Sequence, residues 1–462
     1  MRALVKNGTI VTALDQFQGD ILIEDGVVSA IGKSLPSDRA DRVYDATGKL
    51  VLPGGVDVHT HMAMPFGGTV TVDDFESGTV AAAWGGTTTI VDFAIQPDDA
   101  SLPATLAQWF QKAEGKAVVD YAFHMVIRQW NDQIPADMDQ LVKREGVTSF
   151  KIFMAYPGAL MLDDASLFKA FQQSASNGGL ICVHAENGGA IDVLVRQALT
   201  AGNVGPKHHM LTRPTTAEAE ATHRAIRLAE MAGAPVYFVH LSCADALEMV
   251  RAARDRGLPV HAETCPHYLF LTRQEYDRPG FEGAKYVMTP PLRAQSDQDA
   301  LWKGLAGNDL QVISTDHCPF CFKGQKELGA ADFSLIPNGA PGVESRLSLI
   351  YDGGVRSGRL SLNRFVELTA TAPARMMGLY PRKGTIAVGS DADLAIFDPS
   401  ATLTLSAATH HSRVDYNLYE GLEVTGVPIT VLVRGEPVLL DRQFVGKAGF
   451  GRFQKRSLYQ RL

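Results

Sequence analysis

The sequence of 462 residues predicts an α/β fold, in which a closed (β/α)8 TIM barrel is joined to a small β-sandwich built from both chain ends. Three observations support this fold class. Apolar strand-like segments alternate with helix-like segments eight times through the middle of the chain. Short strands with turn signals precede them. The same pattern of short strands and turns returns near the end. A chain of this length exceeds what one hydrophobic core usually organises, so we expect a large domain with a smaller partner.

The two ends of the chain carry the strands of the expected sandwich. The first part contains short β-branched runs, with Asn7-Gly8 and Asp25-Gly26 as predicted hairpin turns. Segments such as "GTIAVGSDADLAIFDP" repeat this pattern near the end. The predicted domains are residues 1–54 and 380–440 for the sandwich, 55–379 for the barrel, and 441–462 for a C-terminal tail that either lies on the surface or contacts a neighbouring subunit.

Eight apolar runs are the candidate barrel strands. In chain order they are Val56–His61, Thr87–Ala94, Asp120–Ile127, Ser149–Tyr156, Leu180–Glu186, Val236–Ser242, Val260–His267 and Gln311–His317. Helices are predicted between them, for example over "DDASLFKAFQQSASNGG" and "TAEAEATHRAIRLAEMAG". An open doubly wound sheet would more typically carry a glycine-rich phosphate loop after its first strand, and this chain has none there, which favours the closed barrel.

Composition and charge exclude several classes of function. The chain has 43 Lys and Arg against 51 Asp and Glu, a net charge of −8 and no basic patch with interleaved aromatic residues, so a nucleic-acid partner is not expected. No apolar run reaches membrane-spanning length, and the N-terminus lacks the apolar core of a signal peptide. Five cysteines, mostly in apolar runs, are typical of free thiols in a reducing compartment. We therefore expect a soluble cytoplasmic protein that acts on a small molecule and binds no membrane.

A His-Thr-His sequence ends the first candidate barrel strand. Residues two apart on a strand point to the same face, so His59 and His61 present two imidazoles to one point in space. Such a pair suits a metal ion, but histidines at this spacing also line polar pockets. The rest of the chain must decide between these two interpretations.

Further ionisable residues stand at the ends of other candidate strands, where barrels of this kind carry their active groups. They are Lys151, His184, His240 and Asp316, on the fourth, fifth, sixth and eighth strands. A single histidine on an apolar strand is usually a core residue, but four histidines and an aspartate at one barrel mouth indicate a metal centre. His267 and His317 lie beside this set and are candidates for supporting the ligands.

Lys151 is the most informative member of the set. An ammonium among metal-binding imidazoles would face dications and lose its hydration. Either its pKa is depressed by burial and positive neighbours, or carbon dioxide carboxylates its amine to a carbamate that supplies two oxygens and a negative charge. A lysine that reaches past the strand end to solvent is the alternative, and the apolar Phe150, Ile152 and Phe153 argue against it. A carbamate at this position could bridge two divalent metal ions.

These ligand positions, in this order, resemble the binuclear metal-dependent amidohydrolases. The similarity is greatest to the dihydropyrimidinase and D-hydantoinase family and extends over essentially the full chain, through motifs that include "PGGVDVHTH", "FKIFMAY", "VHAENG", "ETCPHYL", "TDHCPF", "GQKELG" and "IPNGAPGVE". The resemblance implies hydrolysis of the cyclic amide bond of dihydropyrimidines or 5-substituted hydantoins to N-carbamoyl amino acids. It also implies a homo-oligomer, with a tetramer favoured.

The resemblance further implies two divalent metal ions per subunit, expected to be zinc, and carboxylated Lys151 as the bridge between them. The remaining ligands divide into His59, His61 and Asp316 for one metal and His184 and His240 for the other.

Catalytic and substrate-binding roles follow from the same resemblance. Tyr156 is expected to hydrogen-bond the carbonyl oxygen of the substrate, and Asp316 to accept a proton from the attacking water and deliver it to the leaving nitrogen. Thr289 and the backbone near Asn338 are expected to hold the cyclic amide. Many relatives have serine where this chain has Thr289, and the hydroxyl is retained.

The residues after His61 predict the chemistry of the substrate. Met64 and Phe66, like the uncharged neighbour Met62, present no charge, and we expect Phe153 and Leu160 to extend the same apolar wall. The related dihydroorotases and allantoinases place polar residues after this motif, so this chain is expected to accept an apolar exocyclic group. The alternative is that these side chains only pack the loop onto the barrel.

Two other functions remain as alternatives to this interpretation. One is an allantoinase-like or dihydroorotase-like reaction in the same class of enzymes. The other is a non-enzymatic cytoskeletal regulator of the same fold, which is disfavoured because every ligand position is retained.

Overall fold

The structure, a computed structural model, describes residues 2–38 and 40–462. Its strands in chain order are β1 (Arg2–Val11), β2 (Gln16–Glu24), β3 (Val27–Gly32), β4 (Arg42–Asp45), β5 (Leu50–Pro53), β6 (Gly55–Thr60), β7 (Pro65–Phe66), β8 (Thr69–Val70), β9 (Thr87–Ile95), β10 (Asp120–Val126), β11 (Ser149–Phe153), β12 (Leu180–His184), β13 (Val236–Phe238), β14 (Val260–Thr264), β15 (Val312–Ile313), β16 (Leu394–Thr404), β17 (Glu423–Val433), β18 (Glu436–Leu440) and β19 (Gln443–Phe444).

The α-helices are α1 (Ser77–Trp84), α2 (Leu102–Ala113), α3 (Ile134–Gln140), α4 (Asp164–Asn177), α5 (Gly188–Thr200), α6 (Lys207–Leu211), α7 (Thr215–Ala232), α8 (Ala244–Asp255), α9 (Pro266–Phe270), α10 (Gln295–Gly307), α11 (Arg346–Ile350), α12 (Leu362–Val366) and α13 (Ala372–Met376). Short 3₁₀ turns include Lys326–Gly329 and Phe333–Leu335. Within the described ranges, no helix combines the length and the apolar character that crossing a membrane requires.

The predicted (β/α)8 barrel is confirmed. Eight strands pair in parallel in the order β6, β9, β10, β11, β12, β13, β14 and β15. The last strand returns to the first, because Thr60 bridges His317 and the His61 amide donates to the His317 carbonyl at 2.9 Å. All residues of β6, β9, β10, β11 and β12 are buried, as expected for parallel strands covered by helices on the outside.

Local sequence explains why the helices begin and end where they do. In α4 the Asp163 carboxylate accepts from the Ser166 amide at 2.7 Å, and Gly178 ends the helix with a left-handed φ of 78°. Its buried residues Leu167, Ala170 and Phe171 share the one face that covers the barrel.

Several barrel strands are shorter than predicted at their carboxyl ends. The seventh ends at Thr264, after which Pro266 begins α9, and the eighth is reduced to Val312–Ile313. For the fourth, sixth and eighth strands the physical reason is the backbone at the predicted functional positions, since Tyr156, His240 and Asp316 have φ of 67°, 41° and 49°. Positive φ cannot continue a strand, so the chain leaves the sheet at these residues.

The two chain ends do pair, in one branched sheet of nine strands. β16 lies between β5 and β17, while β1 pairs with β2 on one edge and with β4 and β5 in succession on the other. The Asp25-Gly26 turn joins β2 to β3 as predicted, with φ of 52° and 88°. The predicted hairpin turn at Asn7-Gly8 is wrong, because these residues lie at a register irregularity inside β1, which continues to Val11.

A buried ionic cluster joins the small sheet to the barrel. Lys383 Nζ lies 2.6 Å from Asp120 at the start of β10, 2.9 Å from Asp391 and 2.7 Å from Asp393. Arg434 also pairs with Asp120. Because three carboxylates surround two cations inside the protein, removing either cation leaves uncompensated buried charge.

The C-terminal tail lies against the amino-terminal end of the barrel of its own chain. The Gln454 amide donates to the Tyr121 carbonyl at 2.8 Å. The buried Arg456 guanidinium donates to the Phe123 carbonyl at 2.5 Å and to Ser149 Oγ at 2.8 Å. These contacts are within one chain, so the expected contact of the tail with a second subunit stays a prediction.

Candidate metal centre

A cavity of about 510 Å³ opens at the carboxyl end of the barrel and contains every site residue predicted from the sequence. Its lining comprises His59, His61, Lys151, His184, His240 and Asp316, the polar residues Tyr156, Thr289 and Asn338, and the apolar residues Met64, Phe66, Phe153 and Leu160. Four residues that sequence reasoning did not single out complete it, namely Ile95, Val126, Cys318 and Gly339.

Two histidines and one carboxylate converge on one side of this cavity. His59 Nε2 and His61 Nε2 lie 3.1 and 3.0 Å from the same oxygen, Asp316 Oδ1. The potential ligand atoms of these three residues all lie within 4.8 Å of one another. Burial alone would raise the pKa of Asp316, but the two imidazoles hold it well below its usual range. The carboxylate is therefore an anion that faces both imidazole nitrogens.

A second pair of histidines faces the first. His184 Nδ1 and His240 Nε2 approach to 3.0 Å. His184 Nε2 lies 2.9 Å from the Glu186 carboxylate, which fixes Nε2 as the donor and leaves the Nδ1 lone pair directed at His240. Two ring nitrogens that face each other at this distance are arranged as two ligands of one cation, not as the donor and acceptor of a hydrogen bond.

Unpaired buried atoms test whether these residues fit a metal. His59 Nε2 is buried and makes no hydrogen bond with any residue that the structure describes. A buried polar atom without a partner is costly, and a cation is the group that these nitrogens and the Asp316 oxygen would satisfy. The donor set of imidazole nitrogens and carboxylate oxygen is one that zinc accepts.

Lys151 is buried and lines the same cavity as the two histidine pairs. Its Nζ is 4.6 Å from the ring centre of Phe93 and 4.9 Å from that of Phe153. Across residues 2–38 and 40–462, no carboxylate lies within ion-pair distance of this amine. Burial lowers the pKa of Lys151 to about 8, although Asp316 opposes the shift. A side chain in this state can react as a free amine.

Carboxylates behind the ligands were missed by sequence reasoning. Glu263 on β14 accepts from His59 Nδ1 and from the Tyr237 hydroxyl, both at 2.5 Å, and from the His240 amide at 3.1 Å. One buried carboxylate thus orients a histidine from each pair. The available signal was an acidic residue near the end of a candidate barrel strand, in the segment "VHAET", with no ligand spacing to mark it.

The two histidines predicted to support the ligands behave differently. His317 Nε2 lies 3.0 Å from Asp73 Oδ2, and its backbone amide donates to the His59 carbonyl. His317 therefore braces the strand that carries His59 and His61. His267 belongs to α9 rather than to the seventh strand and packs against Tyr268, and its buried Nε2 has no partner among the described residues.

The polar residues of the opposite wall surround the hydroxyl of Tyr156. Asn338 Nδ2 donates to this hydroxyl at 3.3 Å, and Thr289 Oγ1 lies 3.3 Å from His209 Nε2. Burial raises the pKa of Tyr156 to about 12, so its hydroxyl stays protonated near neutral pH. Tyr156 can therefore donate a hydrogen bond to an oxygen atom in the cavity.

The structure brings the residues of the expected apolar wall to the cavity, apart from Met62. Phe66 lies on the two-stranded hairpin of β7 and β8, 5.5 Å from the ring of Tyr156 in an edge-to-face contact. Met64 and Leu160 are buried beside the cavity. Met62 does not line it, because its side chain is fully buried against Gly78 of α1.

Most of the chain matches a known protein family. Residues 50–438 match the amidohydrolase family. The chain belongs to the amidohydrolase family.

Closer relatives are hydantoinases and dihydropyrimidinases. The chain is 54% identical to D-hydantoinase of Streptomyces coelicolor, over 100% of this chain and 99% of the relative. It is 51% identical to D-hydantoinase of Geobacillus stearothermophilus, over 99% of this chain and 97% of the relative. The crystal structure of dihydropyrimidinase from Brevibacillus agri covers 100% of both chains at 51% identity with a TM-score of 0.99. Within the amidohydrolases, this chain thus falls in the dihydropyrimidinase and D-hydantoinase group, as the sequence motifs predicted.

Proposed function

We propose that the protein hydrolyses the cyclic amide bond of 5-substituted hydantoins and dihydropyrimidines to N-carbamoyl amino acids. The observation that carries the proposal is the convergence of two histidine pairs, Asp316 and an unpaired buried lysine beneath an apolar wall. High identity to D-hydantoinases over the full chain supports the same reaction.

The residues of the cavity fit two divalent metal ions, and we assign zinc to both positions. His59, His61 and Asp316 would hold one ion and His184 and His240 the other, with Lys151 as a carbamate between them. When bound, the pair of ions would supply Lewis acidity that lowers the pKa of a water and polarises the substrate carbonyl. The carbamate assignment is supported by the absence of any ion pair to Lys151 among the described residues.

The residues of the chain complete the chemistry. The oxygen of water adds to the ring carbonyl carbon, the ring carbon–nitrogen bond breaks, and the proton lost by water reaches the leaving nitrogen. Asp316 is placed to carry that proton, because its carboxylate remains ionised in the cavity. The neutral Tyr156 hydroxyl donates to the carbonyl oxygen, where negative charge develops in the transition state. Thr289 and the Asn338 backbone hold the ring by its amide groups.

Assembly, compartment and domain division complete the proposal. We propose a cytoplasmic homotetramer, with the tail of residues 441–462 at a subunit contact. Five free thiols, Cys182, Cys243, Cys265, Cys318 and Cys321, suit a reducing compartment. The proposed domains are residues 1–54 with 380–440, and 55–379.

A substrate panel tests the proposed function directly. We expect a 5-aryl hydantoin and dihydrouracil to be hydrolysed, and dihydroorotate and allantoin to have kcat/KM at least ~10²-fold lower, because their polar groups would lose hydration against Met64 and Phe66 without a charged partner. The measurement is kcat/KM for each compound with the zinc-loaded protein. A preference for dihydroorotate or allantoin would replace the proposal with the corresponding alternative reaction.

Removing the ring of Phe66 tests the apolar wall. In Phe66→Ala we expect the ratio of kcat/KM for a 5-aryl hydantoin to that for dihydrouracil to fall ~10-fold, since only the aryl substrate contacts this ring. Val70→Ala is the matched control, because Val70 lies on the same hairpin but is 48% exposed and outside the cavity. An equal loss for both substrates would mean that Phe66 acts on folding of the hairpin and not on recognition.

A further inference from the structure

Lys326 is fully buried in the 3₁₀ turn Lys326–Gly329, within the "GQKELG" segment, and none of the roles described above uses it. Its Nζ donates to three backbone carbonyls, those of Val287, Pro337 and Gly339, each at 2.7 Å. An ammonium has three N–H donors and no acceptor, so every donor of Lys326 is used.

The three carbonyls belong to the two segments that carry the proposed amide-binding residues. Val287 precedes Thr289 by two positions, and Pro337 and Gly339 flank Asn338. The segments are also joined directly, because the Gly339 amide donates to the Val287 carbonyl at 3.1 Å. One ammonium therefore holds both segments together at the edge of the cavity.

The same contacts decide which carbonyl of residues 337–339 does not bind Lys326. The carbonyls of Pro337 and Gly339 are directed at Lys326, whereas the Asn338 carbonyl lies 3.8 Å from the thiol of Cys318, which lines the cavity. Gly339 has a φ of 146°, and a Cβ there would lie 2.4 Å from the Cys318 carbonyl. Gly339 thus packs so closely against Cys318 that a side chain would not fit there. The Asn338 carbonyl points away from Lys326.

Lys326 differs from the other buried lysine that holds segments together. Lys383 pairs with three carboxylates at the opposite end of the barrel. Lys326 forms no ion pair with any carboxylate in residues 2–38 and 40–462, and its hydrogen bonds all go to backbone carbonyls, while its Nζ lies 6.0 Å from the ring centre of Phe320. Its contacts orient backbone groups instead of neutralising acidic side chains.

We propose that Lys326 is a positioning residue for substrate binding, whose ammonium fixes residues 287–289 and 337–339 in the arrangement in which Thr289 and the Asn338 carbonyl hold the cyclic amide. This role rests on the proposed function.

Replacing Lys326 by methionine removes all three donors in a side chain of similar length. For Lys326→Met we expect KM for a 5-aryl hydantoin to rise ~10-fold while kcat changes less than ~3-fold, because contacts to the ring amide persist from the bound state to the transition state. Lys326→Gln, whose amide keeps two N–H donors, should raise KM less. Zinc content should equal that of the wild type in both variants, since no ligand is altered.

Lys383→Met is the matched control for loss of a buried lysine. It should lower the unfolding temperature and leave KM unchanged. A KM that stays at the wild-type value in both Lys326 variants, or a fall in kcat at constant KM, would overturn the proposal.

Hydrogen exchange separates this proposal from the proposed function, because it needs no turnover. In the Lys326 variants, peptides covering residues 285–292 and 335–341 should exchange ~10-fold faster, while those covering 149–156 stay unchanged. If the wild type hydrolyses no cyclic amide, the proposed function fails, and faster exchange confined to the two segments still supports the structural half of the inference. Unchanged exchange in both segments overturns it whatever the activity.

Discussion

Lys151→Ala is expected to lose both of the proposed metal ions and to lower kcat/KM by more than ~10³-fold, since the proposed hydrolysis depends on a metal-activated water. The amine lines the cavity with both histidine pairs, and no described carboxylate lies within ion-pair distance of it. Elemental analysis of the purified variant, compared with close to two metal ions per chain in the wild type, measures the first effect. Turnover of a 5-aryl hydantoin measures the second.

Chemical rescue identifies the carbamate. Acetate or propionate should enter the space vacated in Lys151→Ala and restore part of the metal content and part of the activity, because each supplies a carboxylate. Lys151→Arg is the control, since a guanidinium can neither accept carbon dioxide nor bind a cation. Native mass spectrometry of the wild type should show one added carbon dioxide that denaturation releases. Full metal occupancy and activity in Lys151→Met would refute the bridging role.

Tyr156→Phe is expected to lower kcat by ~10²-fold or more, as the loss of a donor to a developing oxyanion usually does. The hydroxyl faces the cavity, receives a hydrogen bond from Asn338 and stays protonated, so it is available as a donor. Metal content should not change, because Tyr156 contacts the ligands only through its ring, 5.6 Å from that of His184. The measurements are kcat and zinc content of the purified variant.

Tyr416→Phe is the control for this substitution. The Tyr416 hydroxyl is buried, has no hydrogen-bond partner among the described residues and lies outside the cavity. Its removal should leave kcat unchanged. Near-normal turnover in Tyr156→Phe would show that another group stabilises the oxyanion.

The barrel and the convergence of the candidate metal ligands could be predicted because both follow from simple periodicities, whereas Tyr156, Thr289 and Asn338 came from the family resemblance. Alternation of side chains along a strand places His59 and His61 on one face, and parallel strands bring their carboxyl ends to one mouth. The burial of Lys151 could also be anticipated, since its neighbours Phe150, Ile152 and Phe153 are apolar, whereas its carboxylation stays a prediction. These inferences need only local sequence and the rule for where barrels carry active groups.

Features that depend on distant contacts could not be predicted. Glu263 and Glu186 act through the hydrogen bonds they make in the folded chain, and neither has a spacing that signals support of a ligand. The strand ends were placed too late because positive φ at Tyr156, His240 and Asp316 is imposed by the surrounding structure. Asn7-Gly8 resembles a hairpin turn locally, yet pairing of β1 with β2 continues on both sides of it.

The pairing of β5 with β16 has a consequence for synthesis of the protein. Strand β5 (Leu50–Pro53) is synthesised long before its partner β16 (Leu394–Thr404). Until β16 emerges from the ribosome, one edge of the amino-terminal strands has no partner. The barrel strands between them can assemble first, because each neighbour in that sheet follows closely in translation. A nascent chain that stalls before residue 394 therefore carries an open strand edge, and such an edge is a template on which a second chain can pair.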